Sequence, residues 1–402
     1  MAAVVGKSGG GKKRKCERED GLLGELNDDV LERVLARLPP ASFFRLRGVC
    51  RRWREAAASP TLLAACERVP VRNPWFLMIS EGQERQKWPA VAFDTGEGVW
   101  ARCRGGVPGP MPVAAAGGRV LYRAPDTGEL TVANPLIGAS RVLPAPPAAH
   151  GALHAVAMYG SPFRVVLILG ELPDLAMAVY DSSMNAWEDA VPLSRKPEAL
   201  FPEREVEVGI GGGDETVYFL SKSGDVMATN MQRSASRQYS SVVTCSGYGE
   251  AVAYFLSHSG ALVACDLARR VFSELPWILP VYFDYSIDVV ACDGRVYVVV
   301  LSELLDTASL RVWEFADGAW RQVAAMPPSM SHAFYGKKAD VNCVGHGCRV
   351  MVCVTSADAN ACFMCDVRTN QWEELPPCAA GDGEAMDFVA AFSFEPRMEV
   401  AV

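Results

Sequence analysis

One spacing recurs along this chain and restricts what it can fold into. An apolar run ends in an acidic residue, and an aromatic follows six positions later: Asp94 and Trp100, Asp181 and Trp187, Asp266 and Phe272, Glu314 and Trp320, Asp366 and Trp372. The spacing suits a tight β-hairpin. The acidic side chain closes one strand and bonds to turn amides, and the aromatic opens the return strand and packs inward. A second run lies upstream of these hairpins: Arg119-Val120-Leu121-Tyr122, Arg164-Val165-Val166-Leu167, Thr216-Val217-Tyr218-Phe219, Ala251-Val252-Ala253-Tyr254, Arg295-Val296-Tyr297-Val298 and Arg349-Val350-Met351-Val352. Its central valines are separated by 45, 52, 35, 44 and 54 residues.

A period near roughly 50 residues, with several strands in each unit, is the signature of a kelch-type β-propeller. The stretch after residue 80 holds six or seven units at about 45–50 residues each. Counting strand runs favours seven blades, the first starting near Trp75-Phe76-Leu77-Met78. The last run, Phe388–Phe394, has no hairpin after it. It is predicted to pair with blade 1 and close the ring, which removes the edge strands that a linear array leaves exposed. Trp187, Trp320 and Trp372 are expected to pack blades together.

The first 70 residues read differently. Residues 1–20 are rich in Gly, Lys and Glu with almost no large apolar residues, the composition of a disordered tail. Lys12, Lys13, Arg14 and Lys15 form a basic cluster, either a nuclear localisation signal or a solubilising patch. Residues 21–70 form a small separate domain, helical over residues 26–66. Val30, Leu31, Val34, Leu35 and Leu38 follow helical spacing. Asn27 can cap this helix, Asp28 and Asp29 suit its positive end, and Pro39-Pro40 ends it. A second helix is predicted over Ala41–Arg47 and a third from about Val49 to Ala58, with Pro60 restarting the chain toward Leu62 and Leu63. Three short helices cannot make a large core alone, so such a unit docks on the rest of the chain or on a partner.

Charge and chemistry narrow the function. The formal net charge is −8, but residues 1–20 and 21–80 each carry +3, so the body carries −14. A body that acidic repels a phosphate backbone, which argues against nucleic acid as partner. No apolar run approaches the roughly 18 residues that a membrane helix needs. Thirteen cysteines, with no Asn-x-Ser/Thr acceptor, favour free thiols and a reducing, intracellular location. Gly6 to Lys12 imitates a phosphate loop, but Lys13 stands where Ser or Thr is required and no strand precedes it. The five histidines form no His-Glu-x-x-His. Cys362 and Cys365 have thiol-pair spacing, yet on a strand positions three apart face opposite sides. Cys343, Cys348 and Cys353 lack a paired arrangement for zinc. Nothing calls for a cofactor or a metal.

The helical segment resembles an F-box, whose pattern here reads Leu26-Asn27-Asp28-Asp29-Val30-Leu31, Val34-Leu35, Leu38-Pro39 and Val49-Cys50-Arg51-Arg52-Trp53. It departs from the pattern at Asn27, where Pro is usual, and at Phe43-Phe44, where a Leu is usual. The remainder, including Met326–Gly347 and the ending Phe392–Arg397, is similar to plant F-box/kelch-repeat proteins of the Leaf Curling Responsiveness-like subfamily. The resemblance implies a non-catalytic substrate receptor of an SCF (Skp–cullin–F-box) ubiquitin ligase, and the free thiols with the basic cluster set the expectation of nucleus and cytoplasm. It implies docking on a Skp-family adaptor, and through it on cullin and a RING subunit, by Leu26, Val30, Leu31, Val34, Leu35, Leu38, Pro39, Phe43, Phe44, Val49, Cys50 and Trp53. The expectation is that Leu31, Leu35, Leu38, Val49 and Trp53 become buried only when the adaptor is present. The other readings are a propeller enzyme or glycan-binding module with a helical cap, and an adaptor-bound scaffold outside degradation.

A substrate face is expected where loops joining second to third strands meet the inter-blade loops. The former carry Asp126, Glu129, Glu171, Asp174, Asp225, Glu303, Asp306 and Asp358, against Arg123 and Lys222. The latter carry Trp277, Tyr282, Phe283 and Tyr285, then Phe334 and Tyr335 beside Lys337 and Lys338. Exposed aromatics anchor partners, and acidic rims steer basic segments, so a protein substrate with a basic segment fits.

Overall fold

In a computed structural model, the described residues are 27–80, 90–102, 110–147, 151–196, 207–208, 217–220, 226–229, 241–245, 250–257, 261–278, 285–304, 306–356, 360–378 and 388–402. They fall into two compact units divided between Pro70 and Val71.

The first unit holds four helices: α1 (Asp28–Arg37), α2 (Pro40–Leu46), α3 (Arg51–Ala57) and α4 (Pro60–Glu67). Asn27 caps α1 as expected, its side chain accepting the Asp29 amide at 3.4 Å. The fourth helix was not anticipated. Its local signals are strong, because Ser59 caps it and Pro60 stands at its first position, where no amide is lost. It lies along α1, and Thr61 donates to Glu32 Oε2 at 2.6 Å across that contact.

The second unit is a six-blade β-propeller. The inner strands are Phe388–Phe394 in blade 1, Met111–Ala116 in blade 2, Leu153–Tyr159 in blade 3, Ser241–Cys245 in blade 4, Tyr285–Cys292 in blade 5 and Asp340–His346 in blade 6. Each touches the next, and blade 6 touches blade 1, so the ring is closed. The closing strand pairs antiparallel with Trp75–Ser80, register Leu77 to Phe392. Blade 1 is therefore built from both ends of the unit, as the sequence indicated.

Among the described residues there are six blades, not the seven favoured by counting strand runs. The run beginning at Thr216 forms the strand Val217–Leu220, but it pairs with Glu207–Val208 and Val226–Thr229 in a separate three-stranded sheet. The inner strands of blades 3 and 4 meet directly without it.

The hairpin motif has the anticipated chemistry in four blades. Asp94 Oδ1 accepts the amides of Gly96 and Glu97, Asp266 those of Ala268 and Arg269, and Asp366 those of Arg368 and Thr369. Asp181 accepts the amide and hydroxyl of Ser183. The fourth residue after each acid is left-handed: Gly98, Asn185, Arg270 and Asn370 have φ between 51° and 66°. Blade 5 differs. Its turn is tighter, with Ala316 opposite Ala319 across Asp317-Gly318, so Glu314 stays in the ladder and takes Arg295 Nη1 at 2.6 Å instead.

The tryptophans join blades, as expected, and Trp372 does so by packing on the core shared by blades 5 and 6. Trp187 Nε1 in blade 3 donates to Pro144 O behind blade 2, and Trp320 Nε1 in blade 5 to Pro276 O behind blade 4. Trp100 Nε1 in blade 1 repeats this to Pro376 O behind blade 6. Trp372 in blade 6 bonds instead to Asn370 Oδ1, the oxygen that also accepts the Ala325 amide of blade 5. Cys362 and Cys365 do diverge. Cys362 packs with Phe76 and Met78 of blade 1, and Cys365 with residues of blade 5.

Candidate functional site

Two surfaces and one cavity can carry function. In the helical unit, the α1 stripe splits into two faces. Leu31 and Leu35 are 0% exposed, and Phe43 is 3% exposed. These side chains form the unit's own interior, because α1 lies against α3 and α4. This corrects the expectation that Leu31 and Leu35 wait for a partner: they are already buried. Leu38, Pro39, Phe44 and Trp53 are half-buried. Val30 (41%), Val34 (39%), Val49 (69%) and Leu63 (46%) are exposed, as is Cys50. Val30 and Val34 lie one turn apart on α1 and so form an exposed apolar pair. Basic side chains frame it: Arg52 Nε reaches Asp28 Oδ1 at 3.0 Å, and Arg47 lies 4.8 Å over the Phe44 ring. Leu26 and the cluster Lys12, Lys13, Arg14 and Lys15 lie outside the described residues.

On the propeller, one corner brings together an aromatic and two carboxylates. The Tyr335 hydroxyl donates to Asp306 Oδ1 at 2.7 Å, and the Gly336 amide donates to Glu303 Oε1 at 3.1 Å. His332 stacks on Tyr335 with ring centroids 5.9 Å apart. The bond to Asp306 raises the Tyr335 phenol above its ordinary pKa. Tyr335 and Trp277 stay substantially exposed, at 39% and 41%. Phe334 does not belong to this surface. It is buried and meets Phe363 edge-on at 5.9 Å, because the short helical segment Pro328–Phe334 turns it into the core. Tyr285 starts the inner strand of blade 5, and Tyr282 and Phe283 lie outside the described residues. Asp126, Glu129, Glu171 and Asp174 are exposed on the second-to-third-strand loops of blades 2 and 3. Asp225, Asp358 and Lys222 are outside the described residues. His332 was missed, though its spacing to Tyr335 on one helical turn was readable.

The axial cavity has a volume of about 520 Å³ and is lined by the inner strands. Its polar lining includes Thr244, Asp293, His346, Ser393 and Glu395. His346 Nδ1 and Ser393 Oγ are 2.8 Å apart, a bond across the seam between blades 6 and 1. Burial lowers the His346 pKa, and Glu395 opposes this. Asp293 pairs with Arg368, and Glu395 with Arg397. Among the described residues, no group of His, Cys, Asp and Glu could hold a metal ion, and no helix is long and apolar enough to cross a membrane.

Residues 23–64 match the F-box domain family. The chain is 40% identical to Arabidopsis thaliana F-box only protein 13, over 99% of this chain and 91% of that one. The chain is a plant F-box protein. It is also 24% identical to Arabidopsis F-box only protein 6, over 94% of this chain and 76% of that protein. An Arabidopsis F-box/kelch-repeat protein is 43% identical over 56 residues, 14% of this chain. Among solved structures, TolB from Acinetobacter baumannii is similar with a TM-score of 0.45, covering 86% of this chain and 73% of that one at 10% identity. Val30, Val34 and Val49 of this F-box protein fall inside the matched segment.

Proposed function

We propose that this F-box protein is the substrate-recognition subunit of an SCF ubiquitin ligase. Its helical unit docks on a Skp-family adaptor, and the adaptor joins it to cullin and a RING subunit. The propeller holds the protein to be ubiquitinated for proteasomal degradation. The chain itself is non-catalytic, works in nucleus and cytoplasm, and belongs to the kelch-repeat branch near the Leaf Curling Responsiveness-like subfamily. The observation that carries this reading is the pairing, in one chain, of a matched F-box with exposed Val30, Val34 and Val49 and a closed propeller.

The adaptor-facing set is revised by burial. Val30, Val34, Val49 and Cys50 can touch a partner, with Leu38, Pro39, Phe44 and Trp53 at the margin. Leu31, Leu35 and Phe43 support them from inside. On the propeller, Tyr335 with Trp277 anchors the substrate, and the exposed carboxylates steer a basic segment toward it. The test is affinity capture from plant cells with the proteasome blocked, comparing the intact chain with Tyr335→Ala and Trp277→Ala. Both variants are expected to keep the adaptor and lose substrate, and wild-type binding is expected to weaken as salt rises. Retention of the same partners by both variants would move the substrate site elsewhere.

A further inference from the structure

Blade 2 departs from the hairpin motif at its first position. Blades 1, 3, 4 and 6 place Asp there, but blade 2 places Asn134, which is fully buried. Its Oδ1 does what the aspartates do, accepting the Leu136 amide at 3.1 Å. Its Nδ2 does what no carboxylate can, donating to Arg397 O at 2.8 Å and to Val400 O at 3.0 Å. Those carbonyls belong to residues 395–402, which follow the closing strand.

The same segment meets blade 2 at further points. Arg119 Nε donates to Ala401 O at 2.8 Å. Gly118, at φ +79°, would place a Cβ 2.9 Å from Glu395 O and 3.2 Å from Arg397 Cβ, so only glycine permits the crossing. Val402 packs against the core shared by blades 2 and 3. The segment also turns charge inward. Arg397 bonds to Glu395 at 2.8 Å and to Glu399 at 3.0 Å. Glu399, with its side chain 5% exposed, faces the equally buried Arg72 at 4.0 Å, and Arg72 lies among the first residues of the propeller unit.

We propose that residues 395–402 form a strap that closes the ring a second time, and that the Asn134 amide is the donor that holds it. The closing strand joins blade 1 to itself through backbone pairing. The strap then ties that blade to blades 2 and 3 and, through Glu399, to the start of the propeller unit. Glu395, the first residue of the strap, also lines the axial cavity.

The test is Asn134→Asp in the full chain, read by hydrogen exchange. The substitution keeps the acceptor for Leu136 and sets an anion against two carbonyl oxygens. Amides of 395–402 are expected to exchange at least about tenfold faster than in wild type at pH 7. Burial and the two facing carbonyl oxygens raise this carboxyl's pKa above the free value of about 3.9, and once protonated it can donate again, so the difference from wild type should shrink as pH falls. Asp181→Asn, the reverse exchange in blade 3, is expected to leave the strap protected. Unchanged strap protection in Asn134→Asp, or equal loss in Asp181→Asn, overturns the proposal. If Asn134→Asp instead destabilises the whole propeller, a chain ending at Phe394 decides. There, the same substitution should cost far less in melting temperature than in the full chain, and an equal cost in both backgrounds also overturns it.

Discussion

Replacing Leu31 and Leu35 together by alanine is expected to unfold the helical unit rather than to disarm its surface. Both side chains are 0% exposed, wedged where α1 meets α3 and α4. A buried Leu→Ala typically costs about 2–5 kcal/mol, so the pair removes about 4–10 kcal/mol if the two add. A unit of roughly 45 residues has about 2–7 kcal/mol to lose at typical per-residue stability. Val30 and Val34, one residue before each leucine, are 41% and 39% exposed, and replacing them should change stability by no more than about 0.5 kcal/mol each. The two double variants therefore separate folding from docking. The assay is hydrogen exchange of residues 27–70 in the full chain, beside capture of the adaptor. Leu31→Ala with Leu35→Ala should lose protection and adaptor together. Val30→Asp with Val34→Asp should keep protection and lose the adaptor. Native protection throughout α1–α4 in the leucine variant would refute the burial argument.

Trp187→Phe keeps a ring against Tyr180, now 5.5 Å away, but removes the bond to Pro144 O, so calorimetry should show a loss of about 0.5–1.5 kcal/mol. The hydroxyl and amide of Ser183 hold the Asp181 carboxyl below its ordinary pKa. A depressed folded-state pKa gives stability that is present above the unfolded value, about 3.9, and lost as pH falls through the folded value. Asp181→Asn should therefore be less stable than wild type at pH 7, with the gap closing below about pH 4 in denaturant titrations. Burial pushes the thiols of Cys265, Cys292 and Cys365 up to about 12, whereas Cys50 is exposed. Alkylation at pH 8 followed by mass spectrometry should mark Cys50 quickly and the other three only after unfolding.

The sequence revealed the propeller because each blade repeats one turn whose chemistry is local. Asp94, Asp181, Asp266 and Asp366 bond to amides two or three residues on, so the signal sits within a short window. The closing strand was legible for a related reason: Phe388–Phe394 has strand composition and no hairpin of its own. Blade number was less legible. Val217 has the composition of a blade strand, but whether it enters the ring depends on the distant contact between Leu153–Tyr159 and Ser241–Cys245. The inward face of α1 was hidden in the same way. Val30 and Leu31 are adjacent in the apolar stripe, and the choice between them is made by α4, some thirty residues on. Phe334 read as a rim aromatic because a four-residue helix before it, which carries no strong pattern, decides where it points. Asn134 was visible only as a gap in the repeat, since its partners lie over 260 residues away.

The most direct test of the receptor reading is a binding measurement between the purified full chain and a purified Skp-family adaptor. The expected result is a one-to-one complex whose affinity falls at least about tenfold, or about 1.4 kcal/mol, in Val30→Asp with Val34→Asp, while circular dichroism and melting stay unchanged. Absence of a complex with the wild-type chain, or equal affinity for the variant, would contradict it.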